Sequence, residues 1–319
     1  MNLNDRLPTT AVYDAYWRFA YERQQVFHRR IAGHPPDWTA DDVLRRYKFT
    51  NAYRASDRVS QYLIRNVIYS GDYDTDDTCL RILLFKFFNR IDTWELLEQE
   101  FGEVSKETFD SSAFKRVLER ATNAGGKLYS AAYIIPTPPR GSHLRKYEFH
   151  IDLVQRMLRE HLPERVSQAN SMEQVFNLLL SYPTVGPFLA YQYAIDINYS
   201  EVTSFSENDF VRAGPGALDG IRRCFVDTGE YTPEEIIRLV TEHQASEFER
   251  LGLKFEGLWG RQLHLIDCQN LFCEISKYAR VAFPQDGDKR RRIKQTFVPE
   301  SMPIEYWYPP KWGLNEHIE

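Results

Sequence analysis

Cysteine is scarce: Cys79, Cys224, Cys268 and Cys273 are the four in 319 residues, and none forms a CxxC pair. That scatter excludes the clustered thiolates of a zinc or iron–sulfur site and reads as free, mostly buried thiols. No metal and no other cofactor is expected. No apolar run approaches the roughly 20 residues of a membrane span. The opening MNLNDRLPTTAVYD has no charged start followed by an apolar core, so no secretory leader is expected and the expected location is cytoplasmic. Repeats and low-complexity tracts are missing, as is any GxxxxGK[ST] loop, so a P-loop kinase site is not expected. Positive charge does not dominate either. The net charge of −5 argues against a protein that coats nucleic acid through bulk charge.

What is present is helical periodicity. TTAVYDAYWRFAYERQQVFHRRIAG repeats apolar and aromatic residues every three or four positions behind a Thr cap. DTDDTCLRILLFKFFNRIDTWELLEQEFG starts on acidic caps and turns almost wholly apolar, as a buried helix does. Further helices are expected over 106–123, 147–162, 171–182, 187–197, 208–225, 233–247 and 258–280. Pro136, Pro138, Pro139 and Gly141 forbid a helix and mark a long loop, preceded by a possible short strand, KLYSAAYII. The expectation is an all-α chain, one two-lobed domain over 1–319. Its lobes are placed at 1–135 and 145–285, with 286–319 an irregular tail packed on the body.

Charge is nevertheless clustered locally. Arg45, Arg46 and Lys48 form one basic group, Arg140, Arg145 and Lys146 a second, and KRRRIK from Lys289 to Lys294 a third. Such runs are usually solvated faces, but three of them with Tyr and Phe interleaved suit a nucleic-acid surface. EQVFNLLLSYPTVGPFLAYQYAIDI reads as two helices joined by a tight turn, with Pro187 at the first position of the second. The turn residues Thr184, Val185 and Gly186 would leave backbone N–H donors and a helix dipole for a phosphate. An ordinary αα-hairpin is the plainer alternative. Asp209 follows 23 residues after Gly186, where the plain reading is an N-cap.

The combination of Pro183, Val185, Gly186 and Ala190 with Asp209 resembles the helix-hairpin-helix DNA glycosylases, whose PxVGxxxA hairpin precedes an essential Asp on the next helix. The family's first hairpin glycine is Thr184 here. Phe188 stands where strand-cleaving members carry Lys, so Schiff-base lyase chemistry is not implied. Longer strings carry a second resemblance. KFTNAYRASDRVSQYLIRNVIY, SENDFVRAGPGALDGI and WGRQLHLIDCQNLFCEISKYAR, lying between residues 48 and 280, look like a phage and bacterial family. It unites the helical domain of 5-hydroxymethyluracil DNA kinases with the α-glutamyl/putrescinyl-thymine pyrophosphorylases. It also resembles an anti-phage glycosylase acting on glucosylated hydroxymethylcytosine.

These resemblances imply a monofunctional DNA glycosylase, a hydrolase that extrudes a bulky modified base from duplex DNA and excises it as antiviral defence. Asp209 would stabilise the developing sugar cation. The expected pocket comprises Asn51, Tyr53, Arg54, Asp57, Arg58, Asn208, Gly214, His264, Asp267, Gln269 and Asn270. A salt-bridged helix start and satisfied core polar groups are the plain readings of the same residues. The alternatives are a transferase that puts an amino acid or polyamine onto pyrophosphorylated hydroxymethyluracil, or a DNA-binding protein without catalysis. The expected partner is double-stranded DNA carrying modified bases, met by a monomer.

Overall fold

The computed structural model describes residues 7–131, 135–284, 292–298 and 304–318. Those residues are helical, joined by turns and loops. The only β-contacts among them are isolated bridges, Thr9 with Phe225, Tyr47 with Thr296 and Leu258 with Arg261. The all-α expectation is thus met. The strand suggested for KLYSAAYII does not form over 127–131 or at 135, and its residues 132–134 lie outside the described residues, as do 289–291 of the KRRRIK run. Among the described residues no helix is long and apolar enough to cross a membrane.

The chain divides into two units that interleave in sequence, Met1–Asp57 with Glu207–Glu305, and Arg58–Ser206 with Tyr306–Glu319. The sequence-based lobes 1–135 and 145–285 instead follow chain order. A Pro-rich loop marks a helix break, and nothing in it states which partner the chain returns to.

In the first unit the helix Ala11–Ile31 begins where Thr10 Oγ1 accepts the Val12 N–H at 3.1 Å. Its buried stripe, including Tyr13, Tyr16, Trp17, Phe19 and Phe27, faces the long helix Leu265–Ala282, where Tyr16 meets Phe272 with ring centroids 4.7 Å apart. The helix Pro215–Cys224 crosses the same long helix at near-backbone distance, because a Cβ on Gly220 would sit 2.0 Å from the Phe272 carbonyl oxygen. Several helix expectations shift: the one over 106–123 starts at Ser111, and the one over 233–247 breaks into Pro233–Glu242 and Gln244–Arg250. The helix expected over 208–225 starts only at Pro215, whose fixed φ suits a first helical turn and biases Gly214 to extended backbone. The helix expected over 258–280 starts at Leu265, because Gly257, Trp259 and Gly260 all adopt positive φ before it.

The second unit is built on Thr75–Phe88, buried from Thr78 to Phe88, with Asp74 capping its start. Arg81 is buried there and spends its guanidinium on Val67 O at 2.7 Å, Val104 O at 2.9 Å and Ser70 Oγ at 2.9 Å, satisfying carbonyls around the π-turn Leu63–Ile68. The hairpin helices are Met172–Leu180 and Pro187–Asn198. Thr184 takes φ +66° between them, a left-handed backbone that glycine adopts most readily. The end of the tail, from Tyr306, belongs to this unit, with Lys311 Nζ donating to Ser200 O and Thr203 O, both at 2.6 Å.

Candidate active site

Three stretches of the first unit converge: residues 50–57, the turn at 207–209, and the loop 257–264 that leads into Leu265–Ala282. The loop is tightly tied. Leu258 N–H donates to Arg261 O at 3.0 Å, Tyr53 O–H donates to the same oxygen, and Gln24 Nε2 donates to Gly257 O at 2.9 Å. Gly257 has φ +68°, and a Cβ there would lie 2.4 Å from Arg261 O, so the bend requires glycine.

Asp267 joins two of these stretches at the helix start. Its Oδ2 accepts the His264 N–H at 3.1 Å, half of a capping box, and its Oδ1 accepts the Arg54 N–H at 2.9 Å. Asn208 Oδ1 takes the Leu265 N–H at 3.2 Å, bringing in the third stretch. Burial, and after it the Glu207 charge, pushes the Asp267 carboxyl up to about 6.

Glu207 sits beside it and is only 5% exposed. Its Oε2 accepts from Arg261 Nη2 at 3.2 Å and lies 3.5 Å from His264 Nδ1, which is itself 2.7 Å from Arg261 Nη2. Burial raises the Glu207 carboxyl, but hydrogen bonding by His264 and the charges of Arg261, His264 and Arg54 outweigh it and hold it below the usual range. Two neighbouring carboxyls are thereby pushed apart, Glu207 ionised and Asp267 slow to ionise. Glu207 Oε1 is buried and has no hydrogen-bond partner. Such an unmet acceptor costs roughly 1–3 kcal/mol, which a donor on a bound molecule would recover.

Asn51 organises the polar layer behind this centre. Its N–H donates to Asp57 Oδ1 at 2.7 Å, its Nδ2 to Ser56 O at 2.7 Å, and its Oδ1 accepts from Arg23 Nη2 at 3.1 Å. Glu274 Oε2 accepts the Thr50 N–H at 3.0 Å, and Asn270 Nδ2 donates to Thr50 Oγ1 at 3.0 Å. Burial raises the Asp57 carboxyl to about 7, although the residue keeps part of its surface. A carboxyl whose folded pKa is raised stabilises the fold when neutral, and that contribution is lost as pH climbs through the folded value. Stability should therefore fall between about pH 4 and pH 7, by at most about 1.4 kcal/mol per pH unit for each such group. Asp57→Asn keeps an acceptor for the Asn51 N–H. In urea titrations from pH 5 to pH 8 it should flatten the upper part of that decline; an unchanged slope would remove Asp57 as its source.

The expected site residues fall into distinct places. Asn51, Tyr53, Arg54, Asp57, Asn208, His264, Asp267 and Asn270 come together in the first unit, with Tyr53 buried under the loop as a structural donor. Gln269 is buried and turns to Cys273 Sγ at 3.3 Å, and Gly214 is a buried helix cap with φ −81° that any residue could adopt. Arg58, Thr184, Val185 and Gly186 belong to the second unit. Asp209 lies exposed on a turn rather than on the helix expected over 208–225, and Arg238 Nη2 donates to its carbonyl at 3.0 Å. Glu207 and Arg261 join this centre although sequence reasoning passed them over. Both stand inside strings already singled out, SENDF and WGRQLH, but nothing local says they are adjacent. Among the described residues no cluster of three or more His, Cys, Asp or Glu is placed to hold a metal.

Fold and centre together define an all-α protein with a carboxylate–guanidinium–imidazole cluster. Residues 10–287 match the family model described as 5-hmdU DNA kinase, helical domain, and the chain belongs to that family. It is 30% identical over 287 residues to the 5-hmdU DNA kinase of Bacillus phage SP10, covering 84% of this chain and 45% of that protein. The chain thus spans about half the length of the curated relative it matches. No solved structure matches. These findings overturn the expected excision chemistry. The family and the relative carry the name of a kinase, a group-transfer enzyme, and nothing supports a hydrolase that removes a base. The sugar-cation role given to Asp209 and the glucosylated hydroxymethylcytosine target fall with it.

Proposed function

We propose that this chain carries out group transfer onto a 5-hydroxymethyluracil-derived base in DNA, joining a primary amine to the exocyclic methylene once its hydroxyl has been phosphorylated or pyrophosphorylated. The observation that carries the reading is the ionised, buried Glu207 with an unmet oxygen beside Arg261 and His264, in a chain of this family. The name of the phage relative fits the preceding step, since phosphorylation turns a poor leaving group, hydroxide, into a good one. This chain has no GxxxxGK[ST] loop, so activation is assigned to another domain or protein.

A base held in a duplex must first rotate out of the stack. The amine lone pair then forms the C–N bond at the methylene, and the C–O bond breaks with its electrons leaving on the (pyro)phosphate. The surplus proton on nitrogen passes to the Glu207 carboxylate. Arg261 and Arg54 supply positive charge toward the leaving group, and His264, Asn208 and Asn51 are proposed to line the base. The base–sugar bond stays intact throughout.

The test is incubation of the protein with duplexes bearing thymine, 5-hydroxymethyluracil or its pyrophosphoryl ester, together with glutamate or a diamine, followed by nucleoside mass analysis. A new adduct on the activated base alone is expected. Unchanged nucleosides in every arm, or alkali-labile abasic sites, would overturn the reading.

A further inference from the structure

The turn that carries Glu207 lies outside any helix, so its backbone carbonyls need partners from elsewhere in the fold. Arg238 supplies them. Its Nη1 donates to Asn208 O at 2.7 Å and its Nη2 to Asp209 O at 3.0 Å, a single guanidinium fork across two successive carbonyls. The Asn208 side chain is held independently, its Oδ1 accepting the Leu265 N–H at 3.2 Å. The residue directly after Glu207 is therefore fixed at both its carbonyl and its side chain.

Arg238 itself stands on an anchored element. The helix Pro233–Glu242 opens with a Thr232–Glu235 capping box and buries Ile236, Ile237 and Val240. Glu234, on the same helix, accepts the Ala213 N–H at 3.0 Å through Oε1. Just past the helix end, buried Gln244 exchanges two hydrogen bonds with Leu263, donating to its carbonyl and accepting its N–H, both at 2.9 Å. Residues 233–244 thus tie the stretch that carries Glu207 and the loop that carries Arg261 and His264 to one frame. Stability does not explain the fork. Both of its bonds lie at the exposed surface, where water would serve the same carbonyls.

We infer that Arg238 is a positioning residue for Glu207. Its fork fixes the backbone of the 207–209 turn and so sets where the carboxylate stands relative to Arg261 and His264. This role rests on the reading of Glu207 as the group that takes the amine proton. A reacting group displaced by about 1 Å can lose roughly 10²-fold in rate.

The experiment compares full-length wild type, R238A and R238K by amide hydrogen exchange, and by adduct formation on a duplex bearing the pyrophosphoryl ester of 5-hydroxymethyluracil with a diamine. In R238A the Leu265 amide, which reports on Asn208, should exchange roughly tenfold faster, while the Leu263 amide held by Gln244 keeps its rate. Its kcat should fall about 10- to 100-fold with KM within about threefold of wild type. R238K should recover only part of the loss, because an ammonium lacks the planar fork. Guanidinium chloride at tens of millimolar should restore turnover to R238A, a rescue that general destabilisation would not show, since guanidinium weakens folds. R238A with wild-type kcat, or with a lowered kcat that guanidinium does not restore and no change at Leu265, would overturn the role and leave the Glu207 centre standing. A wild-type chain that forms no adduct while R238A still loosens Leu265 would overturn the reading of Glu207, and the fork would then hold the turn for another purpose.

Discussion

Glu207→Gln is expected to lower the rate of adduct formation by two to four orders of magnitude while leaving affinity for the modified duplex within a few-fold. The substitution preserves shape and one acceptor oxygen. It removes the charge that hydrogen bonding by His264 and the charges of Arg261 and Arg54 maintain, and a general base contributes about 10²–10⁴-fold. Asp209→Asn, two residues on, is the informative control. Asp209 is exposed and held through its backbone carbonyl, so its variant should stay within about twofold of wild type. If Asp209→Asn abolished activity and Glu207→Gln did not, the centre would have to be redrawn around the exposed turn. Because Glu207 Oε2 also meets Arg261 Nη2, thermal melts should accompany the kinetics, and a modest loss of stability with intact affinity still isolates the chemical role.

Gly220→Ala should be the most destabilising single methyl in the first unit. The added Cβ would lie 2.0 Å from the Phe272 carbonyl oxygen and 2.7 Å from its carbonyl carbon. Those are backbone atoms inside a helix and cannot swing aside as a side chain can. The helices Pro215–Cys224 and Leu265–Ala282 must separate, at a cost of about 3 kcal/mol or more. Urea unfolding should show the drop as a lower midpoint. Gly229→Ala separates sterics from backbone strain: Gly229 has φ +54° with nothing within 4 Å of a built Cβ, so the loss there should stay near 1 kcal/mol. The Gly220 variant should also lose activity, since the helix it displaces carries Asp267 in its first turn and His264 at its cap. An Ala variant as stable as wild type would mean that the two helices pack less closely than described.

The helical fold was legible because its causes are local. Acidic caps before Thr75, the aromatic stripe of Ala11–Ile31 and Pro187 after Gly186 each act within a turn or two of chain. Boundaries slipped where backbone sign decides them: no periodicity count reveals that Trp259 will adopt φ +49° or that Pro215 opens the helix expected from residue 208. The centre was half legible. His264 and Asp267 were paired by their spacing, and the capping box unites them. Glu207 reaches Arg261 across more than fifty residues, a contact set by the tertiary fold, so Asp209 drew attention through its spacing from the hairpin instead. Function was the least legible. A short hairpin signature pointed to excision, whereas the family matched over residues 10–287 carries the name of a DNA kinase.

Group transfer and base excision differ in where the new bond is made. A duplex whose activated base sits on ¹³C-labelled deoxyribose, taken through one turnover with an amine and digested to nucleosides, reads this directly. The label should appear in a heavier nucleoside with the amine attached to its base, formed by wild type and nearly absent with Glu207→Gln. Label recovered in a free abasic sugar, or an adduct formed equally well without the Glu207 charge, would contradict it.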